Sequence, residues 1–183
     1  MLTMHQEVAP APAPATDAII TDAHARVDLL ESAMRSCLPS VELETVHHFA
    51  PGVYARELRI DAGILLTGKI HRTRHLNIVS KGRIAVWSEA TGPMIVEAPA
   101  AFVSDPGTRR VGFAYEDTVW TTIHPTDETD LTRLEELLIE PRESVQVTGA
   151  GVPEHVLQSL LCILVDEMTD DGDNADASVE VQQ

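Results

Sequence analysis

The stretch Gly68-Lys-Ile-His71-Arg-Thr-Arg-His75-Leu-Asn77-Ile-Val-Ser-Lys-Gly82 shows the texture that decides the fold of this chain. It belongs to a region, residues 45–125, in which short apolar segments alternate with glycines. Short strands with turn signals about every 8–12 residues are typical of a sandwich or barrel. We therefore predict a mainly β fold, an antiparallel jelly-roll barrel. Its eight predicted strands are Val53–Ile60, Ile64–Ile70, His75–Ser80, Arg83–Ser88, Met94–Ala98, Ala101–Ser104, Arg110–Tyr115 and Thr118–His124.

A helical pattern precedes the barrel. Apolar residues recur three and four positions apart and predict an amphipathic helix over residues 20–37. Such a short helix is not stable alone, so it must pack on the barrel or on a partner chain. Its apolar face is formed by Val27, Leu30, Met34 and Leu38. Its polar residues, which we expect to face outward, are Asp28, Glu31 and Arg35.

Two further helices are predicted after the barrel. The first spans residues 128–140, with Asp127 or Thr129 as its candidate cap. The second spans residues 153–168 and opens with a proline, which suits a first helical turn. The chain is thus divided into a disordered Ala/Pro-rich tail (1–16), an N-terminal helix and linker (17–44), the β-barrel (45–125), C-terminal helices (126–168) and a disordered acidic tail (169–183).

Composition limits the classes of partner. The 183 residues carry a formal net charge of −16, which disfavours nucleic acid because phosphates bind basic surfaces. Only the region 45–125 is mildly basic, with 9 basic and 7 acidic side chains. The sequence contains no apolar run of the ~18 residues that a transmembrane helix needs and no signal segment. We expect a soluble, cytoplasmic protein that binds neither nucleic acid nor membrane.

The wide apolar faces of the helices predicted at 20–37 and 153–168 bear on the oligomeric state. One small barrel cannot easily cover both faces, and large exposed apolar patches usually mark interfaces. Twofold dimers are the commonest closed assembly. The sequence therefore predicts a homodimer.

Two histidines lie four positions apart in the opening stretch. If the segment is extended, this even spacing places His71 and His75 on the same face. Two neutral imidazoles suit a transition metal, but they can equally form hydrogen bonds inside a barrel. Residues 69–83 contain five basic side chains and no acidic one, which fits either a docking edge for an anion or a solvated strand edge. These basic residues are Lys69, Arg72, Arg74, Lys81 and Arg83.

A second stretch, Pro99-Ala-Ala-Phe-Val-Ser-Asp-Pro106-Gly107-Thr-Arg-Arg110-Val-Gly112, predicts two strands joined by a turn. Arg109 and Arg110 are adjacent, so one of them faces inward and the other outward. An inward arginine in a small barrel is costly unless an anion meets it. His124 ends the last predicted strand. His47 and His48 precede the barrel and are interpreted as surface residues.

Together the two stretches resemble the motifs of the cupin superfamily, which are RmlC-like jelly rolls. Counting back from Gly82 puts His75 in the glutamate position of the first motif, His71 in its second histidine position and Lys69 in its first. The second motif matches at Gly107 and puts Arg110 in its histidine position. The resemblance implies that these side chains converge inside the barrel. It also implies that cations occupy two of the four usual metal-ligand positions.

A narrower resemblance covers the run from Pro51-Gly-Val-Tyr-Ala-Arg-Glu through Asp117-Thr-Val-Trp-Thr-Thr-Ile-His124-Pro to Leu134-Glu-Glu-Leu-Leu. This run is similar to small cupin-like proteins of bacteriophages and prophages. The resemblance implies a phage or prophage origin, and hence a location in the cytoplasm of a bacterial host or in association with the virion. It brings no settled activity.

Three functions follow from these patterns. The favoured one is a non-catalytic module that binds an anionic small molecule in the barrel mouth, with no cofactor, because the cations would repel a divalent ion. The side chains in question are Lys69, His71, His75, Asn77, Arg110 and His124. Buried charges need partners, so either the anion, an internal acid such as Glu57, or solvent must meet them.

The second is a structural or assembly protein that binds phage assembly partners and has a degenerate site. The third is a metal-dependent oxygenase or isomerase that binds a divalent transition metal. Its candidate metal ligands are His71, His75 and His124.

Overall fold

The computed structural model describes residues 23–140, 148–153, 155, 157 and 158. The predicted tails at 1–16 and 169–183, and most of the helix predicted at 153–168, lie outside these residues. Within them the helices are α1 (Ala23–Cys37) and α2 (Leu131–Leu138). The strands are β1 (Glu44–Ala50), β2 (Val53–Ile60), β3 (Leu65–Thr67), β4 (His75–Lys81), β5 (Arg83–Ser88), β6 (Gly92–Glu97), β7 (Ala100–Ser104), β8 (Arg110–Ala114), β9 (Thr118–His124) and β10 (Thr148–Gly149).

The strands form two five-stranded antiparallel sheets. One has the order β1-β2-β9-β4-β7, and the other has the order β10-β3-β8-β5-β6. From β2 to β9 successive strands change sheet, except that β5 and β6 pair as a hairpin within the second sheet. Two antiparallel sheets connected in this way form a jelly roll, so the predicted fold class is confirmed. β2, β5 and β9 have the predicted bounds. The edge strands β1 and β10, which add one strand to each sheet, were not predicted from the sequence.

The interior between the sheets is polar at one end and apolar at the other. Alternate residues of β2 and β9 face inward, and the register pairs Tyr54 with His124 and Leu58 with Trp120. Away from the polar end, the core is an aliphatic cluster that includes Ile60, Leu66, Val79, Ile84 and Ala114. The polar end is the candidate site.

Helix α1 packs on the outer face of the second sheet. Its residues Val27, Leu30 and Met34 are buried against Leu65 and Val111. The predicted apolar face is therefore covered by the chain's own sheet, and α1 does not supply the dimer surface that the sequence analysis gave it. The homodimer itself stays a prediction.

One residue of α1 lies on the opposite side from that predicted. Glu31 was expected to face outward, but it is only 3% exposed. Its carboxylate accepts hydrogen bonds from Arg109 Nη2 at 2.7 Å and from Thr67 Oγ1 at 2.8 Å. Arg109 also donates to Asp28 Oδ1 at 2.6 Å. The reason is that Arg109, which directly precedes β8, lies beneath α1, and a buried guanidinium needs a carboxylate partner.

Helix α2 lies against the polar end of the barrel. Its cap is Asp130, which accepts a hydrogen bond from Arg133 N, so the predicted caps Asp127 and Thr129 are wrong. Leu134 and Leu138 pack against Tyr54. Beyond the helix, the backbone continues beside the segment after β3, because Glu140 N donates to Ile70 O at 2.9 Å.

The two histidines at 47 and 48 belong to β1 and not to a segment outside the barrel. His48 is exposed and lies 3.4 Å from the carboxylate of Glu57. His47 is half-buried, and its Nδ1 atom lies 2.8 Å from the hydroxyl of Tyr54. Only His48 therefore fits the surface interpretation. In the part of the chain that the structure describes, neither helix has the length and apolar character needed to cross a membrane.

Replacing Arg109 by glutamine should lower the free energy of unfolding by about 3 kcal/mol, because it leaves the buried Glu31 carboxylate with only the exposed Arg35 as a cation. Urea unfolding followed by circular dichroism measures this loss. Arg83→Gln is the matched control, since Arg83 is exposed against the ring of Tyr115. Equal losses in the two variants would contradict the structural role of Arg109.

Candidate functional site

Three histidines from distant parts of the chain meet at the polar end of the barrel. His75 begins β4, His124 ends β9, and His71 lies in the segment between β3 and β4. The ring centroids of His71 and His75 are 4.2 Å apart, and those of His75 and His124 are 4.8 Å apart. One ring nitrogen from each of the three lies within 4.8 Å of the others.

The approach of His71 to His75 depends on a bend. On a single extended segment, as the spacing suggested, the backbones of His71 and His75 would be about 13 Å apart, too far for their rings to meet. The chain instead bends at residues 72 and 73. His71 is held in place by its backbone, which forms a bridge with Ile139 and accepts a hydrogen bond from Gly107 N at 2.9 Å.

All three imidazoles are neutral at pH 7. Burial, followed by the nearby His75, lowers the pKa of His71 to about 2. Burial lowers the pKa of His124 to about 4 and also lowers the pKa of His75. A neutral imidazole has a lone pair on one ring nitrogen and is the form that binds a metal.

The hydrogen bonds of the rings leave nitrogen atoms available. His75 Nδ1 lies 3.0 Å from Thr73 O, which can only accept, so Nδ1 carries the proton and Nε2 has the lone pair. His71 Nδ1 is buried and has no hydrogen-bond partner among the described residues. A buried polar atom without a hydrogen-bond partner needs an explanation, and a metal ion bound to this nitrogen would provide one.

The donor set fits a divalent transition metal such as zinc after a small closure. Two nitrogen atoms bound to one tetrahedral zinc ion, each at about 2.1 Å, are about 3.4 Å apart. The widest gap must therefore shrink by up to roughly 1.4 Å, which side-chain rotation can supply. His71, His75 and His124 would hold such an ion.

A cavity of about 80 Å³ extends from His71 and His75 into the barrel. Three cationic side chains line it: Arg56, Lys69 and Arg110. None of the described residues that line it is acidic. Burial lowers the pKa of both Arg56 and Arg110, which shows that the protein disfavours their charged forms. The electrostatic potential in this cavity is therefore positive.

The cations differ in what balances them. Lys69 pairs with Glu135 of α2, at the rim. Arg110 lies over the ring of Phe102, 5.5 Å from its centroid, and makes no ion pair with a carboxylate among the described residues. Glu57, the internal acid suggested by the sequence, instead pairs outside the barrel with His48 and Arg59. That suggestion is wrong because Glu57 lies on the outward face of β2.

Asn77 lines the cavity, but its polar atoms are already occupied. Its Oδ1 accepts a hydrogen bond from Trp120 Nε1 at 3.0 Å, and its Nδ2 donates to Ser104 Oγ at 2.6 Å. Asn77 therefore positions Trp120, and its contact with a ligand stays a prediction. Trp120 and Arg56 are lining residues that the sequence analysis missed. The sequence did contain a signal for Arg56: it lies two positions before the inward Leu58 in a predicted strand, and residues two apart in a strand face the same side.

No protein-family profile matches the sequence, and no curated protein matches it significantly. Its neighbours among solved structures are cupin and RmlC-like proteins. KdgF from Halomonas sp. is 20% identical, with a TM-score of 0.40 over 49% of this chain and 87% of that chain. A cupin-2 domain protein from Shewanella frigidimarina is 11% identical, with a TM-score of 0.38 over 57% and 100%. An RmlC-like cupin from Desulfovibrio desulfuricans is 19% identical, with a TM-score of 0.36 over 46% and 81%.

Metal-free protein should lose stability as the pH falls from 7 to 5. The lowered pKa of His71 means that the unfolded chain, with an ordinary value near 6.5, binds a proton that the native state does not. Below about pH 6.5, this histidine therefore lowers the free energy of unfolding by about 1.4 kcal/mol per pH unit.

Urea unfolding with chelator at several pH values measures this slope. His71→Gln should reduce the slope, whereas Val53→Thr, at an exposed position of β2 with no titratable group, should leave it unchanged. The same slope in His71→Gln and the unmodified protein would contradict the buried, neutral state of His71.

Proposed function

We propose that this chain, a cupin-like protein of phage or prophage type, binds an anionic small molecule in the barrel cavity. One observation carries the proposal: the cavity is lined by Arg56, Lys69 and Arg110 and by no acidic side chain of the described residues. The phage or prophage origin rests on the resemblance of the run Pro51–Leu138 alone.

An anion would recover the free energy that burial takes from the two guanidinium groups. A partly buried cation loses hydration, and a charge-assisted hydrogen bond restores about 1.5–3 kcal/mol. Guanidinium groups bind carboxylate and phosphate groups through two parallel hydrogen bonds. Arg110 is the stronger candidate for this contact, because no carboxylate of the described residues pairs with it, whereas Lys69 is paired with Glu135.

A second function has its own support. His71, His75 and His124 present three neutral rings, and His71 Nδ1 has no partner, so we propose that they bind a divalent transition metal. This revises the expectation of no cofactor: that expectation counted Lys69 as a repelling cation, and Glu135 balances it. A bound metal would supply a Lewis acid next to the anion, which is the condition for the enzymatic alternative.

Replacing Arg110 by glutamine should weaken binding of a small anion by about 10- to 100-fold, the equivalent of one lost charge-assisted interaction. Native mass spectrometry of protein purified without chelator first identifies retained molecules. Thermal shifts with acetate, succinate and phosphate at constant ionic strength then give affinities. Arg59→Gln is the matched control, because Arg59 lies on the outward face and is half-exposed. If neither these three anions nor an apolar carboxylate such as benzoate raises the melting temperature above the chloride reference, the barrel is not an anion site, and the assembly role gains support.

Replacing His71 by glutamine should lower zinc or cobalt affinity at least tenfold, because it removes one of three nitrogen ligands. Isothermal titration with Zn²⁺ and the visible spectrum of the Co²⁺ form measure binding and coordination number. His48→Gln, which changes an exposed histidine of β1, should bind as the unmodified protein does. Unchanged stoichiometry and affinity in His71→Gln would rule out the three-histidine site.

A further inference from the structure

We infer that the anion carries an apolar body, so that the ligand class is an amphipathic carboxylate with an aromatic or branched aliphatic group. This inference rests on the proposed anion site and adds what lies beyond the charge. The acid group faces Arg110 and Arg56, and the body reaches toward Trp120 and the aliphatic end of the cavity. Highly hydroxylated ligands and inorganic anions do not fit this division.

The lining of the cavity changes from polar to apolar along the strands. On β8 and β5, Arg110 is opposite Ser88, and the next inward pair is Gly112 with Val86. On β2 and β9, Arg56 is opposite Thr122, and the next inward pair is Leu58 with Trp120. Both pairs of strands thus pass from a charged residue to an apolar floor within two residues, because inward positions recur every second residue.

The lining beyond the arginines offers little to a polar body. It consists mainly of aliphatic side chains, namely Leu58, Ile60, Leu66, Ile84 and Val86. The polar atoms of Asn77 are occupied, and the hydroxyl of Thr122 donates to Arg56 O at 3.4 Å. A ligand hydroxyl placed there without a partner would cost about 1–3 kcal/mol, whereas an apolar body gains about 25 cal/mol for each Å² buried.

The indole of Trp120 is oriented before any ligand arrives. Its Nε1 donates to Asn77, and its ring meets Phe102 edge-on with centroids 5.4 Å apart. A surface that is already ordered loses little side-chain entropy on binding. Trp120 therefore offers a fixed, flat apolar wall suited to an aromatic or branched body.

A glycine keeps the middle of the cavity open. A Cβ atom at Gly112 would lie 3.1 Å from Ile84 Cδ1 and 3.2 Å from Leu66 Cδ2, tighter than ordinary contact. Any larger side chain at this inward position would occupy the space between Arg110 and the floor. The glycine thus leaves room for a body to pass from the arginines to the aliphatic end.

The test compares four probes on the unmodified full-length protein at constant ionic strength: benzoate, hexanoate, acetate and benzyl alcohol. Thermal shift reports binding to the unmodified protein. Tryptophan fluorescence is measured on the Trp87→Phe variant, so that the signal comes from Trp120 alone; Trp87 does not line the cavity. We expect benzoate or hexanoate to bind at least tenfold more tightly than both acetate and benzyl alcohol. If acetate binds as tightly as benzoate and hexanoate, the inference of an apolar body is overturned, while the anion site stands. Benzyl alcohol binding as tightly as benzoate would overturn the anion site itself, and binding of no probe would overturn both.

A variant locates the body within the cavity. Val86→Thr replaces a methyl group with a hydroxyl at nearly constant shape, so it should weaken the tighter of benzoate and hexanoate about five- to tenfold and leave acetate unchanged. Val53→Thr is the matched control at an exposed position of β2. Circular dichroism establishes that both variants fold. An unchanged affinity for both apolar carboxylates in a folded Val86→Thr protein would overturn the placement of the body on this floor.

Discussion

The pairing of β9 with both β2 and β4 is the constraint on which the site depends. It places His124 beside Tyr54 on one side, and it places Asn77 opposite Thr122 on the other. Because the pairs are antiparallel, the end of β9 lies beside the starts of β2 and β4. The histidines at those ends therefore meet, although 49 positions separate His75 from His124. A shift of one residue in either pairing would turn these side chains to the opposite face of the sheet.

The chemistry of the mouth follows from removing these groups from water. Burial makes the imidazoles neutral and disfavours the charged guanidinium groups of Arg56 and Arg110. Neutral imidazoles favour a metal, whereas nearby arginine cations oppose one. A bound anion would resolve this conflict, since it would offset the positive charge and lower the repulsion that a divalent ion meets. The two proposed functions would thus be coupled, with the anion strengthening the metal site.

Two neighbouring arginines show how much the layer outside a sheet matters. Arg110 faces the cavity, and Arg109, one residue earlier, faces α1 and is 3% exposed. The carboxylates of Asp28 and Glu31 balance Arg109, so that its charge plays a structural part. Arg110 makes no such pair with a described carboxylate and is left for a ligand. The same type of side chain thus serves packing against α1 at Arg109 and, in the proposed function, ligand recognition in the cavity at Arg110.

Local patterns in the sequence determined the strands, the two described helices and the alternation of inward and outward residues, because these depend on neighbours a few positions apart. Those patterns were enough to select His71, His75 and His124, whereas the choice of Arg110 over Arg109 came from the resemblance to the cupin motifs. Only the tertiary structure decided that Glu31 is buried and that Lys69 pairs with Glu135. The same holds for the hydrogen bond from Trp120 to Asn77 and for the position of Arg56 in the cavity lining. Each of these depends on contacts between distant segments, such as the 78 positions between Glu31 and Arg109. The balance of buried charge is settled by which carboxylate folding brings within reach, and no local periodicity encodes that choice.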